Sequence, residues 1–171
     1  MKNIIYKRIF PSLLRLFKIK KTIKINNFAL FLNLENSIER EIYLKREYEK
    51  KEIMLLSSIC KKNDFDFFLD IGSYIGYFAL YIEHNVKIKK IYAFEPNKLN
   101  YKLLKNNLKI NKSNIKPFNV GLSNSNKTKK MWHTQTNKLG GSSIYFNTDN
   151  EFQKYKKNKI KFTKIKTNSL D

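Results

Sequence analysis

Two carboxylates and two glycines carry the chemical interest of this sequence. Asp70, Gly72 and Gly76 stand in FFLDIGSYIGYFAL (residues 67–80), and Glu95 follows 25 residues after Asp70 in KIYAFEP (residues 90–96). The chain has only five glycines in 171 residues, so placing two here marks a bend that the backbone must make without side-chain bulk. The apolar run ending in Asp70 reads as a strand and the residues after Gly76 as a helix. The glycines therefore fall at a strand-to-helix turn, where a flat ligand can lie against the backbone. A dinucleotide site wants G-x-G-x-x-G, which from Gly72 requires glycine at 74 and 77, yet Tyr74 and Tyr77 stand there. A phosphate loop of the form G-x-x-x-x-G-K-[ST] fails at the same Tyr77. What remains is D-x-G-x-x-x-G, with an acid at the tip of the next strand. The plainer alternative is that the glycines only permit tight strand–helix packing and that Glu95 is a solvated strand end.

The elements that must position these residues follow from periodicity. In IKINNFALFLNL (residues 23–34) Phe28, Leu30, Leu32 and Leu34 alternate as in a half-buried strand or hairpin. Asn36 with Glu39 three residues on resembles a capping box, and the following stretch to Cys60 has helical spacing with a break near Lys45 to Tyr48. DFFLDIG is a short strand, and YIGYFALYIEH places Ile75, Phe78, Ala79 and Ile82 on one helical face. KIYAFEP is a second strand stopped by Pro96, NYKLLKNNLKIN a second helix with Leu103, Leu104 and Leu108 inward, and residues 115–123 a third strand. This β-α-β-α-β order predicts an α/β fold, a Rossmann-like doubly wound and mainly parallel sheet with right-handed crossovers. Further strands are expected near Lys129 to Thr134 and Ile160 to Lys166, with a solvated lysine run at 154–161. The expected organisation is a basic amphipathic segment (1–22), a strand and helix extension (23–63) and a partial Rossmann-like domain (64–171).

In that setting D-x-G-x-x-x-G resembles the motif that opens S-adenosylmethionine-dependent methyltransferase domains. Such a cofactor has no phosphate: it presents an ammonium, a carboxylate and a sulfonium at one end and a ribose diol and adenine at the other. The resemblance implies that Asp70 engages the aminoacyl end, through water, and that Glu95 accepts the ribose hydroxyls. More of the chain, roughly residues 25 to 171, resembles the FkbM-type methyltransferases in the linked order FLDIGSYIGYFAL, IYAFEPNKLNYKLLKNNLKIN, NVGLSNSN and LGGSSI. Upstream, FALFLNLENSIEREIYLKREYEKKEIMLL is similar to the family's strand, paired helices and Tyr-Glu step. The likeness implies a class I methyltransferase fold with S-adenosyl-L-methionine as donor and O-methylation of a sugar or small-molecule hydroxyl. It places Asp70, Gly72, Ser73, Tyr74 and Gly76 in the first cofactor motif, Glu95 at the ribose, and Asn119, Val120 and Gly121 beside adenine. Asn97 and Asn100 match its EPNxxN pattern as helix cap or ligand contact. Leu139 to Ser143 match its Gly-Gly-Ser segment, a loop at the site mouth or a tight turn. The family commonly has Ala-Asn where this chain has Ser73 and Tyr74, so Tyr74 either packs over the cofactor or obstructs it. KIKTNSLD matches the segment before the family's next core strand, so the sheet is expected to be incomplete at its C-terminal end and activity impaired. No catalytic base is nominated; His84 reads as a cap or surface residue.

Composition bounds the partners. A chain that is 42% hydrophobic, with no apolar run long enough to span a bilayer, builds one soluble core. The single cysteine, Cys60, excludes an internal disulfide and reads as a small buried hydrophobe of a cytoplasmic protein, and no Cys/His metal set can be assembled. The formal charge of +21 first suggests a polyanion. Only four of the basic residues are arginine (Arg8, Arg15, Arg40, Arg46), the type favoured for bidentate phosphate reading. On that ground nucleic acid is an unlikely partner, and the expected one is the small-molecule or glycan acceptor that the resemblance implies. The N-terminal segment around Leu13, Leu14 and Phe17 is sufficiently amphipathic to rest on an anionic membrane or pack on its own domain. Two rival readings are a non-catalytic basic module for RNA or an anionic membrane surface, and a nicotinamide-dependent oxidoreductase lacking its glycine code.

Overall fold

A computed structural model describes residues 10–133 and 161–169. The described residues open with a short helix, α1 (Phe10–Leu16), in which Leu14 is buried while Leu16, and Phe17 just beyond it, are exposed. Strands β1 (Lys20–Ile25) and β2 (Phe28–Asn33) then form an antiparallel hairpin with Ile25 opposite Phe28. Asn26 holds the turn at φ 50°, a left-handed conformation that asparagine tolerates. Alternation along β2 buries Phe28, Leu30 and Leu32, and this face packs against three helices. The first of these is α2 (Ser37–Lys45), which ends where Arg46 turns left-handed at φ 59°. That is the expected helix break, and α3 (Lys50–Lys62) follows with Ile53, Ser57 and Cys60 buried. Burial pushes the Cys60 thiol pKa up, which suits the inert hydrophobe expected of it.

The central sheet is parallel, in the order β3 (Phe67–Ile71), β4 (Lys90–Phe94), β5 (Lys116–Phe118). Leu69 pairs with Tyr92 and Phe94 with Phe118. Helix α4 (Tyr77–Asn85) connects β3 to β4 and packs on β4; α5 (Lys98–Ile110) connects β4 to β5 and packs on β5. The architecture is α/β and Rossmann-like. Period-two alternation sends Ile91 and Ala93 into the core and carries Phe67, Ile71 and Phe118 to the other face, where they are exposed. On that outer face Phe94 and Phe118 stack with centroids 5.1 Å apart.

The third expected strand is interrupted. Residues 115–123 divide into β5 and a two-residue β6 (Gly121–Leu122), which leaves the parallel sheet and pairs with β8 (Lys161–Asn168) instead. At the break the Asn119 side-chain amide donates to the Glu95 and Pro96 carbonyls, 2.8 and 3.1 Å away, so the chain is held at the end of β4 while it changes sheets. Strand β7 (Lys127–His133) pairs antiparallel with β8, and Met131, Ile165 and Thr167 are buried on the inner side of this ribbon. Leu139 to Ser143 and most of the lysine run lie outside the described residues.

Candidate functional site

The loop from Asp70 to Tyr77 is built by two glycines with different duties. Gly72 has φ +84°, and a Cβ placed there would meet nothing within 4 Å. Its backbone N–H donates to the Phe94 carbonyl at 2.8 Å, which ties the loop to the neighbouring strand tip. Gly76 has φ +87°, and a Cβ there would lie 2.6 Å from Leu104 Cδ1. Close packing thus explains Gly76, and Gly72 is the one that leaves open space. Both are needed for conformations that side chains disfavour.

Asp70 lies at the end of β3, and its Oδ2 accepts the Ala79 N–H at 3.2 Å. Gly76 is the N-cap of α4 and has no side chain to offer, so Asp70 supplies the acceptor that a capping residue would normally provide. Burial pushes the Asp70 carboxyl pKa up to about 6, against the lowering effect of Ser73 and the Ala79 amide. Ser73 Oγ also donates to the Asp70 carbonyl at 2.8 Å. A cavity of about 200 Å³ opens beside this carboxyl, lined by Ile38 and Ile42 of α2, by Tyr48 and Glu49, and by loop residues including Gly72 and Tyr74. That volume is below the roughly 300–1,000 Å³ of sites that enclose a whole small ligand.

Glu95 sits one strand over, as expected, and is 5% exposed. It does not line the cavity. Its Oε2 accepts the Tyr74 N–H at 2.9 Å and its Oε1 the Asn97 N–H at 2.8 Å, so the carboxylate staples the β3–α4 loop to the start of α5. Burial raises its pKa and the nearby Asp70 adds to the rise, while these donors and the Asn100 side chain oppose it. Tyr74, at φ 51°, separates Glu95 from a third carboxylate: its hydroxyl donates to Glu39 Oε1 at 2.7 Å. Glu39 is fully buried, accepts the Asn33 N–H and the Asn36 side-chain amide, and has its pKa raised by burial.

The sequence spacing makes Glu39 half of a capping box, and the structure gives it a different task. Asn36 is the N-cap of α2, but the Glu39 carboxylate reaches Asn33, Asn36 and Tyr74, not the Asn36 N–H. Glu49, visible in the sequence only within a Tyr-Glu step, reaches the cavity wall. Of the pair in EPNxxN, Asn97 caps α5, accepting from the Leu99 and Asn100 N–H groups at 2.8 and 3.3 Å. Asn100 is buried with an Oδ1 that has no partner. Asn119 has its amide committed to the two carbonyls at the β4 end, and Val120 and Gly121 are half-buried beyond it. His84 Nδ1 lies 3.0 Å from the Leu80 carbonyl within its own helix, and His84 does not line the cavity beside Asp70. Among the described residues no cluster of three His, Cys, Asp or Glu side chains could hold a metal ion, and no helix is long and apolar enough to cross a membrane.

No protein-family model matches the chain, and no curated protein matches it. Among solved structures, it is similar to M. jannaschii TYW2 in complex with AdoMet, with a TM-score of 0.46 and 24% identity over 58% of this chain and 42% of that one. It is also similar to the M. jannaschii tRNA m1G37 methyltransferase, with a TM-score of 0.41 and 21% identity over 63% and 36% of the two chains. A third is aTrm5 in complex with tRNALeu, with a TM-score of 0.42 and 16% identity over 87% and 53%. The chain therefore spans less than two thirds of each of these proteins. The neighbours correct one expectation, since those described by substrate act on tRNA and none on a glycan or small molecule. The expectation leaned on the scarcity of arginine, whereas neutralising phosphates needs only positive charge, which lysine also supplies.

Proposed function

We propose that this chain carries the cofactor-binding core of an S-adenosylmethionine-dependent methyltransferase whose acceptor is nucleic acid. The observation that carries the reading is the pairing of two parallel strand tips, one bearing Asp70 beside the open Gly72 turn and the other bearing Glu95. The residues fit the group at its polar end. The cavity beside Asp70 and Glu49 suits an ammonium, and Gly72 leaves room against the backbone. A carboxylate offers about four lone-pair sites, so Glu95 keeps some acceptor capacity beyond its two backbone donors and the Asn100 side chain. The unpartnered Asn100 Oδ1 behind it is a further buried acceptor. When bound, the cofactor supplies an electrophilic methyl on sulfur. The protein's part in this reading is to hold and orient it, since in-line placement of nucleophile and sulfonium matters more than a strong base. The likeness to FkbM-type methyltransferases rests on the linked order of the motifs. On the acceptor side, the support is charge: 35 basic against 14 acidic residues.

Calorimetric titration with S-adenosylhomocysteine tests the cofactor. Asp70→Asn keeps an acceptor for the Ala79 N–H but removes the charge, so binding should weaken by at least about tenfold, roughly the loss of one charged hydrogen bond. Glu95→Gln should also weaken it. Equal affinity of both variants and the unaltered chain, all folded by circular dichroism, would refute the site.

A further inference from the structure

The β7–β8 ribbon has an outer face that the cofactor reading does not use. Cross-strand partners share a face, so Trp132 and Phe162, Lys130 and Lys164, and Thr128 and Lys166 form three successive rungs on the same side. The opposite side is the one that buries Met131, Ile165 and Thr167. The outer rungs are solvated: Phe162 is 46% exposed, and Lys130, Lys164, Lys166 and Thr128 are all exposed. The rungs hold two aromatic rings, three lysines and no acid. Trp132 and Phe162 meet edge-to-face with centroids 5.3 Å apart, and Lys130 Nζ lies 4.8 Å from the Phe162 ring centroid. A large exposed phenylalanine beside a tryptophan gains nothing by facing water, and lysines clustered beside them repel one another. Both features are accounted for by a ligand with flat rings on a negatively charged backbone.

We infer that this sheet face binds single-stranded RNA, with a base stacked on Phe162 beside Trp132 and phosphates at Lys130, Lys164 and Lys166. Side chains on one face of a strand recur at about 6.8 Å, so a stacked base and its neighbouring phosphates can be met along one ribbon. Stacking on sheet aromatics with lysines along the backbone is how proteins hold unpaired strands with little sequence preference. An anionic membrane would use the lysines as well, but the two rings, paired across the strands on the same side as those lysines, offer a partner's flat bases a surface to stack on. The inference rests on the polyanion reading of the acceptor given above and is independent of where the cofactor sits.

Fluorescence anisotropy of the whole chain with a labelled twelve-nucleotide oligouridylate tests it. Phe162→Ala should weaken binding roughly 5- to 150-fold, the range for loss of one stacked base, and Phe162→Tyr should restore it. Replacing Lys130, Lys164 and Lys166 with glutamine should reduce the slope of log affinity against log salt by about 2. These variants should keep S-adenosylhomocysteine affinity, and Asp70→Asn should keep RNA affinity, so failure of either reading is seen separately. Unchanged RNA binding in both ribbon variants overturns the inference. So does tighter binding to phosphatidylserine vesicles than to the oligonucleotide with the same dependence on the ribbon residues.

Discussion

Replacing Asp70 with asparagine should make the ligand-free protein more stable at neutral pH while weakening its cofactor site. The carboxyl is pushed from 3.8 to about 6 chiefly by burial. A raised pKa means that the folded chain holds a proton that the unfolded chain has already released. That contribution is fully present below about pH 4 and is lost as pH rises through about 6. At about 1.36 kcal/mol for each unit of pKa difference, the ionised carboxylate costs the fold about 3 kcal/mol above pH 7 relative to strongly acid pH, of which about 2.4 kcal/mol develops above pH 4. Asparagine does not titrate, and it can still accept from the Ala79 N–H. The difference in unfolding free energy between the variant and the unaltered chain should therefore become more favourable to the variant by about 2.4 kcal/mol between pH 4 and pH 7.5. Urea unfolding followed by circular dichroism at the two pH values measures it. Any change in capping strength appears at both pH values and cancels. A difference that stays constant within about 0.5 kcal/mol would show that Asp70 titrates as an ordinary exposed acid, and the argument for a desolvated carboxylate poised for a cation would fail.

The two glycines should separate in the same assay. Gly76→Ala adds a clash with Leu104 Cδ1 to its left-handed strain and should cost about 2–3 kcal/mol, against about 1 kcal/mol for Gly72→Ala, which meets open space. Equal costs would contradict the packing role given to Gly76. Tyr74→Phe removes a donor from the buried Glu39 carboxylate and should cost about 1–3 kcal/mol. Because Glu39 has a raised pKa, its charged form is the one that suffers, so the loss should be larger at pH 8 than at pH 5 in thermal melts. Asn107→Leu leaves the Phe31 N–H and the Ile75 carbonyl without partners and should cost roughly 2–4 kcal/mol, with faster hydrogen exchange at the Phe31 amide.

What the sequence makes visible is what local pattern encodes. The strand, turn and helix around Gly72 follow from an apolar run, two glycines and helical spacing, and the left-handed break at Arg46 falls where helical spacing falters. The roles of polar residues inside the core are another matter. Asn100 and Asn107 in α5, and Asn111 at its C-cap, follow the face of Leu104 and Leu108, a spacing plain in the sequence. Their task is not periodic: Asn107 Oδ1 accepts the Phe31 N–H at 2.8 Å, and Asn111 exchanges hydrogen bonds with both backbone groups of Ala29, each at 2.7 Å. The helix thereby satisfies the free edge of β2, a requirement set by tertiary packing across more than seventy residues. The split of residues 115–123 into β5 and β6 has the same origin. Its apolar pattern is continuous, and only the Asn119 contacts with the end of β4, and pairing with β8, interrupt it.

Tyr74 brings these threads together. A bulky residue at φ 51° is held in a conformation that costs of order 1 kcal/mol or more and that an asparagine would tolerate far better. The strain persists because the residue is anchored at both ends. Its N–H is taken by Glu95 at the tip of β4, and its hydroxyl by Glu39 on α2. Through the backbone N–H and the side chain of one residue the hairpin–helix extension, the glycine turn and the acidic strand tip become a single hydrogen-bonded unit. An asparagine is too short to replace the ring that carries the hydroxyl out to Glu39. The tyrosine is thus better understood as a tether between the extension and the turn than as a bulky substitute for a cofactor contact. That tether also explains why the cavity beside Asp70 is small, since the ring that reaches Glu39 forms part of its wall. A site shaped in this way couples its volume to the position of α2, so enclosing a ligand larger than the cavity would require the Tyr74 ring to turn or the helix to which it is bonded to shift.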